Sequence, residues 1–315
     1  MSQPKPLVGV SACIIGQPVR FDGGHKRSHF VDDQLSQWVQ LKPLCPEVGA
    51  GMTVPRPTVR LRKIGESVRI MDDKNNVDYS DAMHAFNERA LPGLASLSGY
   101  VVCAKSPSCG MERVKVVQED GKGAERNGRG LFTDALMKRY PLLPVEEDGR
   151  LNDPHLRENF VVRVLIYQEL QQLMQQPSKA ALLAFHQKHK LQILSHNQDG
   201  YRQMGRFVAS LRNDQVEGAM QEYGQMLMDA LKRPASRKGH TNVLQHIQGY
   251  FKKDIAGEER QHLHDTILAY RRGRLPLMAP LSIVQHLLTR FPKPYITGQS
   301  YLRPHPDSLA LRCVL

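Results

Sequence analysis

Short apolar runs alternate with amphipathic segments over the first 150 residues of the chain. Leu7–Cys13 and Tyr100–Ala104 are brief and rich in β-formers, which predicts two buried strands. Val59–Met71 holds two alternating stretches separated by Gly65-Glu66, which predicts a hairpin. This alternation indicates an α/β domain over residues 1–150, a sheet with flanking helices. Its other predicted elements are helices at Val31–Leu41, Ser80–Leu91 and Leu131–Arg139, a strand at Leu142–Val145, and a flexible basic loop at Gly121–Gly130.

After about Asn152, long periodic segments rich in Leu, Gln, Lys and Arg replace the β-rich runs. Their apolar spacing predicts helices, and prolines such as Pro177 and Pro234 fall in the breaks between them. Residues 151–315 are therefore expected to form an all-α domain. The predicted helices are Pro154–Gln175, Ser178–His196, Gln198–Leu211, Val216–Leu231, Ser236–Lys253, Gly257–Arg272 and Ala279–Arg290.

Composition excludes several classes of protein. Mean hydropathy is −0.43 and no run of about 18 apolar residues occurs, so no membrane-spanning helix is expected. The N-terminal residues lack a charged segment followed by an apolar one, so no secretory signal is predicted. Five cysteines are too few for a disulfide framework and their number is odd. Free thiols suit a reducing compartment, and we expect a cytoplasmic protein.

The basic surplus is concentrated in the second half of the chain. The net charge is +12, and residues 151–315 carry 22 Lys and Arg against 13 Asp and Glu. Such a surplus is typical of a surface that binds a polyanion, although basic proteins also use charge simply to stay in solution. The basic groups that we expect to contact such a polyanion are Lys188/Lys190, Arg202/Arg206, Lys232/Arg233/Arg237/Lys238, Lys252/Lys253 and Arg271/Arg272/Arg274.

Three cysteines follow three predicted buried segments. Cys13 ends the first strand, Cys45 opens the sequence CPEVG, and Cys109 lies in KSPSCG after the strand that ends near Ala104. If these strands are parallel neighbours, the thiols meet at one edge of the sheet, where α/β proteins bind ligands. Three thiolates suit either a catalytic zinc with an open position or a cubane cluster with one exchangeable iron. Since no CxxC pair occurs, three buried structural thiols remain the alternative.

The polar residues around these cysteines are candidates for contact with a substrate, with a solvated turn as the alternative for each. A further thiol, Cys103, lies within a predicted strand and is expected to belong to the core. The candidate substrate-binding residues are Arg20, Asp22, His25, Lys26, Arg56, Lys105 and Ser108.

Three ordered motifs resemble a known family. They are SACIIGQPVRFDGGHK, CPEVGAGMTVPRP and KSPSCG, and together they are similar to the TudS/RudS-type thiouracil and tRNA thiouridine desulfidase family. The motifs span residues 7–110, and the basic helical half resembles the C-terminal domain of YbgA-type proteins. This resemblance implies an iron–sulfur domain followed by an RNA-binding domain.

The resemblance also implies roles for individual residues. Cys13, Cys45 and Cys109 match the three ligands of a [4Fe-4S] cluster that leaves one iron open. Glu47 matches the catalytic acid of the family and Ser106 a serine needed for activity. Many relatives have a second cysteine in the first motif where this chain has Val19. This departure argues against any mechanism that needs four thiolates.

The expected reaction is the hydrolysis of a carbon–sulfur bond. An open iron would supply a Lewis acid toward the thiocarbonyl sulfur, and a carboxylate such as Glu47 would move a proton between water and the base. We expect a [4Fe-4S]-dependent desulfidase that acts on 4-thiouridine in tRNA, with no membrane or protein partner. The alternatives are a desulfidase for free 2-thiouracil or other thiolated nucleotides, and a non-catalytic RNA-binding protein that contains a metal.

Overall fold

The computed structural model describes residues 4–72 and 74–314. The chain divides into two compact units, Met1–Asn152 and Asp153–Leu315. The first unit is α/β and the second is helical, which confirms the fold class predicted from the sequence. Among the described residues, every helix is too short or too polar to cross a membrane.

The strands of the first unit form two sheets, where the sequence predicts one sheet layer. The first sheet has the order β2-β1-β6-β9 with every neighbouring pair parallel. The second has the order β5-β4-β3-β7-β8 and is mostly antiparallel. The strands are β1 (Leu7–Ser11), β2 (Gln40–Leu44), β3 (Val59–Ile64), β4 (Ser67–Asp72), β5 (Val77–Asp78), β6 (Gly99–Val102), β7 (Val114–Val117), β8 (Ala124–Gly128) and β9 (Val145–Glu147).

The central strands of the parallel sheet are apolar and buried. Val8 and Val10 of β1 and Val101 and Val102 of β6 have no exposed surface. Burial of this kind is typical of parallel strands that are covered on both faces. The β3–β4 pair, in register from Val59 opposite Asp72, confirms the predicted hairpin.

The helices of the first unit are α1 (Pro46–Gly49), α2 (Ser80–Ala90) and α3 (Leu131–Arg139). The helices expected near Ser80 and Leu131 are confirmed. The prediction of a helix at Val31–Leu41 is wrong, because Phe30–Gln34 forms a wide π turn and Leu35–Gln37 forms a 3₁₀ turn. Residues 40 and 41 already belong to β2, which pairs with β1. Strand pairing therefore overrides the helical periodicity.

The segment Gly121–Gly130, expected to be a flexible loop, contains β8. Gly121 turns the chain with a φ of 71°, and its amide donates to the carbonyl of Gln118 at 2.9 Å. Ala124 then pairs with Val117 of β7. The strand carries exposed charged side chains, as edge strands commonly do, and so lacks the apolar alternation that identifies a strand in sequence.

The second unit has a core of apolar helix faces. Its largest fully buried side chains include Tyr223, Phe251 and Tyr301. The seven helices expected from the sequence are all present, with ends that differ by a few residues at most. The helices are α4 (Pro154–Gln175), α5 (Lys179–His196), α6 (Gln198–Ser210), α7 (Val216–Leu231), α8 (Arg237–Gly249), α9 (Gly257–Arg271), α10 (Met278–Arg290) and the short α11 (Pro294–Thr297).

Candidate active site

A cavity of about 290 Å³ lies at the carboxyl ends of β1, β2 and β6. The thiols of Cys13, Cys45 and Cys109 all line it. Cys13 lies in the 3₁₀ turn that follows β1, and Cys45 precedes the first residue of α1, directly after β2. Cys109 lies in residues 105–110 after β6, a segment that we call the thiol loop. The parallel sheet thus brings together the three cysteines that the sequence places after strands.

The thiol loop packs against the N-terminus of α3 through backbone contacts. The amide of Leu131 donates to the carbonyl of Pro107 at 3.1 Å, and that of Phe132 donates to the carbonyl of Ser108 at 3.0 Å. These amides belong to the first turn of the helix, where no partner within the helix exists. A Cβ atom at Gly130 would lie 2.4 Å from the carbonyl carbon of Ser108. Only glycine allows this approach, so α3 fixes the position of the loop.

Ser106 stabilises the turn that carries Cys109. Its hydroxyl oxygen accepts hydrogen bonds from the amides of Ser108 at 3.2 Å and Cys109 at 3.1 Å. Ser106 also lines the cavity. Because the hydroxyl accepts in both bonds, its own hydrogen is available to donate. Lys105, which lines the cavity beside it, adopts a left-handed φ of 65° that a non-glycine residue rarely takes.

The Glu47 carboxylate is held from two sides at the cavity wall. Its Oε2 accepts from Nε of Arg56 at 3.0 Å, and its Oε1 accepts from the Ser108 hydroxyl at 2.8 Å. The side chain of Arg56 is only 5% exposed, and it also donates to the carbonyls of Thr53 and Val19 at 3.0 Å each. Arg56 and Ser108 were predicted to bind substrate. Arg56 lines the cavity, whereas Ser108 is fully buried behind Glu47.

Cys103 is a fourth thiol at the same cavity. The sequence predicts that it lies within a strand, but in the structure it does not. β6 ends at Val102, so Cys103 is the first residue beyond the strand. A hydrogen bond between the thiols of Cys13 and Cys103 raises the pKa of Cys13 and lowers that of Cys103. Burial raises the pKa of both Cys45 and Cys109. Burial therefore disfavours the thiolate form of Cys45 and Cys109.

Tyr100 supplies a buried hydroxyl near the three predicted ligands. The residue has no exposed surface, and among the described residues its hydroxyl has no hydrogen-bond partner. Burial raises the pKa of Tyr100 well above its ordinary value, and the nearby Cys109, Cys45 and Cys13 raise it further. A buried donor without an acceptor is costly, and a group with sulfur atoms beside it would provide one.

The donor set of the cavity fits an iron–sulfur cluster. Thiolates are the ligands that such clusters take in proteins, and three of them leave one iron without a protein ligand. Cys13, Cys45 and Cys109 line one cavity, and within the described part of the chain the Tyr100 hydroxyl has no hydrogen-bond partner. Within residues 4–72 and 74–314, no group of three His, Cys, Asp or Glu side chains is arranged to hold a single metal ion.

The other predicted substrate-binding residues divide into two groups. Arg20 lines the cavity together with Lys105. Asp22, His25 and Lys26 lie outside its wall and are exposed.

Lys26 forms an ion pair at 2.8 Å with Asp148, whose other oxygen accepts from the amide of Ala104 at 2.8 Å. Burial lowers the pKa of Lys26, but the hydrogen bond to Asp148 and the attraction of nearby negative charges together outweigh it, so the net shift is upward. Sequence reasoning missed Asp148, although it follows β9 at the same edge of the sheet.

Two family models match the chain. One is described as 2-thiouracil desulfurase and matches residues 8–148. The other is described as a protein of unknown function, DUF1722, and matches residues 190–306. Together they cover most of both compact units.

Two known proteins are similar to the chain. The uncharacterized protein YbgA of Escherichia coli (strain K12) is 36% identical over 164 residues, which are 51% of this chain and 97% of that protein. A solved structure of the [4Fe-4S]-dependent thiouracil desulfidase TudS is 28% identical. That match covers 48% of this chain and 94% of the solved chain, with a TM-score of 0.38.

Proposed function

The chain belongs to the thiouracil desulfurase family through its N-terminal unit and is a homologue of YbgA, and on that premise we propose that it is a [4Fe-4S]-dependent desulfidase of 4-thiouridine in tRNA. The reaction is a hydrolysis in which the thiocarbonyl carbon exchanges sulfur for the oxygen of water. The products are uridine and hydrosulfide, and no electron is transferred.

One observation carries the proposal: the three thiols that match the cluster ligands line the same cavity as a carboxylate. Cys13, Cys45 and Cys109 are the residues that would hold the cluster. When bound, the cluster supplies a thiophilic Lewis acid through the iron that has no protein ligand. Neither Lys nor Arg stabilises a departing soft sulfide well, so the thiol set is what makes sulfur chemistry plausible at this site.

Glu47 is the group that moves protons. Its carboxylate is fixed by Arg56 and Ser108, so it need not reorganise when the base enters the cavity. From the wall it can accept a proton from water and return it to a ring nitrogen of the pyrimidine or to the leaving sulfur. The hydroxyl of Ser106, which lines the same cavity, can donate to the base or orient the water.

The polar residues around the cavity would bind the rest of the nucleotide. Arg20 and Lys105 line it, while Lys26, His25 and Asp22 lie outside its wall. A thiolated base within a folded RNA has to leave its stack to enter such a cavity. Cations near the opening would then neutralise the phosphates that flank the extruded nucleotide.

The helical unit supports tRNA as the substrate. It holds most of the surplus positive charge of the chain, which a free base does not need for binding. A phosphate backbone does need it, and binding of this kind weakens steeply as the salt concentration rises.

Free 2-thiouracil is a second candidate substrate, because the family model that matches residues 8–148 is described as 2-thiouracil desulfurase. The two candidates differ in what the helical unit contributes. If the free base is the substrate, salt should have little effect on KM. If tRNA is the substrate, KM should rise steeply with salt.

The proposal is tested on protein purified and reconstituted without oxygen. We expect about four irons per chain and loss of 4-thiouridine from tRNA, followed by nucleoside analysis, with release of hydrosulfide. Cys109→Ala should lose both iron and turnover, whereas Glu47→Gln should keep the iron and lose turnover. A protein that binds tRNA but removes no sulfur, or a Glu47→Gln variant as active as wild type, would refute the mechanism.

A further inference from the structure

Three tyrosine rings, Tyr201, Tyr295 and Tyr250, lie in a row in the helical unit with a lysine between the first two, and we call them the tyrosine row. The ammonium of Lys190 lies 6.0 Å from the ring centre of Tyr201 and 5.6 Å from that of Tyr295. Tyr250 stacks on Tyr295 with ring centres 5.5 Å apart and an angle of 25° between the planes. Tyr250 is 47% exposed, so the outer side of its ring is accessible to solvent.

A basic groove of about 490 Å³ begins at the same tyrosine and lysine. Its wall includes Lys190, Tyr201, Arg202 and Arg206, and no carboxylate contributes to it among the described residues. Arg202 lies 3.8 Å from the carboxylate of Asp199, which is almost fully exposed, so solvent screens this pair. The groove thus keeps a net positive charge.

The amphipathic pattern of α6 explains why these side chains face outward together. Met204 and Val208 are buried on one face of the helix, which leaves Arg202 and Arg206 exposed four residues apart on another. Gly205 lies between them, and a Cβ atom there would meet nothing within 4 Å. The missing side chain at Gly205 therefore keeps the groove open without serving any packing need.

Some of the other basic residues of the unit are engaged within the protein. Lys188 pairs with Glu169 at 2.7 Å, and Arg237 donates to the backbone carbonyl of Tyr270 at 3.2 Å. Arg312 is buried and bonds to Glu158 at 2.6 Å. The sequence groups Lys188 and Arg237 with Lys190 and Arg202 only by charge, whereas the structure gives Lys188 and Arg237 partners within the protein.

We propose that the groove and the tyrosine row bind an unpaired stretch of RNA, an inference that rests on the proposed action on tRNA. Phosphates lie against Arg202 and Arg206, and a base stacks on the open face of Tyr250. Aromatic faces next to a cationic groove are the combination by which proteins hold single-stranded nucleic acid. An acidic protein segment would use the cations but would gain nothing from the exposed ring.

The first test blocks the groove without removing a charge. Gly205→Leu places a side chain in the open space, and Gly218→Leu makes the same change on α7, where a Cβ atom also meets nothing within 4 Å. Binding of an unmodified tRNA transcript to the full reconstituted chain is followed by fluorescence anisotropy. We expect Gly205→Leu to weaken binding about tenfold or more, and Gly218→Leu to bind like wild type.

The second test removes the ring. Tyr250→Ala should weaken binding by roughly fivefold to a hundredfold, the range found for loss of one stacked base, while Tyr250→Phe should bind like wild type. Replacing both Arg202 and Arg206 by Ala should reduce the slope of log affinity against log salt by about 1.4.

Equal binding by wild type, Gly205→Leu and Tyr250→Ala would overturn the assignment of the groove and leave the proposed tRNA substrate intact. Absence of binding by wild type would overturn the groove together with the tRNA substrate. Because the transcript carries no sulfur, neither result depends on catalysis. Turnover of free thiouracil by the same samples then reports separately on the cavity.

Discussion

Arg56 joins Glu47 to the backbone of two separate segments. Its Nε lies 3.0 Å from Glu47 Oε2, and its terminal nitrogens lie 3.0 Å from the carbonyl oxygens of Thr53 and Val19. An arginine can make all of these bonds at once because its donors are fixed in one plane. The general acid–base group of the proposed reaction therefore has a fixed position before any substrate arrives.

Arg56→Lys tests this positioning. Lysine keeps the positive charge, but its three N–H donors lie on one nitrogen, so they cannot reach acceptors that bond to three different nitrogens of Arg56. We expect turnover to fall about a hundredfold, as when a reacting group is misplaced by about 1 Å, while iron content stays unchanged. Steady-state kinetics measures turnover, and iron analysis on the same preparation measures iron content. Loss of iron in parallel with activity would mean that Arg56 holds the cavity together.

The two serines of the thiol loop should be separable. Ser108→Ala removes the hydrogen bond to Glu47 and should lower kcat without loss of iron, because Ser108 lies behind the carboxylate. Ser106→Ala removes the acceptor for the amides of Ser108 and Cys109. We expect this variant to lose iron faster on gel filtration as well as to lose activity. Identical behaviour of the two variants would contradict these separate roles.

Replacement of Cys103 tests whether this thiol is a cluster ligand or only lines the cavity. The motif resemblance assigns the cluster to three other cysteines, so Cys103→Ala should retain about four irons per chain. Cys13 is the hydrogen-bonded neighbour of Cys103, and Cys13→Ala should lose the iron. Absorbance near the cluster bands and iron analysis provide the measurements. Loss of iron in Cys103→Ala alone would exchange the roles of the two thiols.

Gly130→Ala tests the contact between α3 and the thiol loop. The new Cβ would lie 2.4 Å from the Ser108 carbonyl carbon, so the loop has to move. We expect a loss of about 1–3 kcal/mol in the free energy of unfolding and poorer iron incorporation. Gly123→Ala is the matched control, since its Cβ would come no closer than 3.7 Å to another atom. Equal urea midpoints for the two variants would be inconsistent with the contact.

Buried histidines should make the helical unit sensitive to acid. Burial lowers the pKa of His186 from 6.5 to about 4 and that of His240 well below 6.5. A lowered pKa in the folded state means that protons bind the unfolded chain more tightly, so stability is full above about pH 6.5 and falls toward pH 4. For His186 alone, the loss between pH 7 and pH 5 is about 2 kcal/mol.

Urea unfolding at the two pH values measures this loss, and His186→Gln should reduce it because glutamine does not titrate. Glutamine can still bond to the Tyr223 hydroxyl, which lies 3.2 Å from the His186 ring. An unchanged pH dependence in the variant would assign the acid sensitivity to other groups.

The position of the thiols could be predicted because one rule covers them: residues that follow parallel strands meet at one edge. The same rule would have placed Cys103 and Asp148 there, had the ends of β6 and β9 been known to within two residues. The partners of Glu47 could not be predicted in this way, since Ser108 and Arg56 approach it from separate loops. Local spacing carries no information about such contacts.

The helical unit shows a similar limit. Helix bounds followed from apolar spacing, and Pro154–Gln175 and Val216–Leu231 agree to the residue. The tyrosine row could not be predicted, because Tyr201, Tyr250 and Tyr295 are about 45 to 50 residues apart along the chain. Only the packing of α6 and α8 with the segment that follows α10 brings their rings into line.

The parallel pairing of β1 with both β2 and β6 has a consequence for the order of assembly. Val8 is paired with Gly99, so the thiols after these strands come together only once ninety residues of intervening chain have been placed. Contacts of such long range form late in folding. A metal that templates its own fold, as zinc does in small fingers, needs ligands that are close in sequence. In this chain the iron and sulfide of the proposed cluster would instead enter a sheet that has already formed.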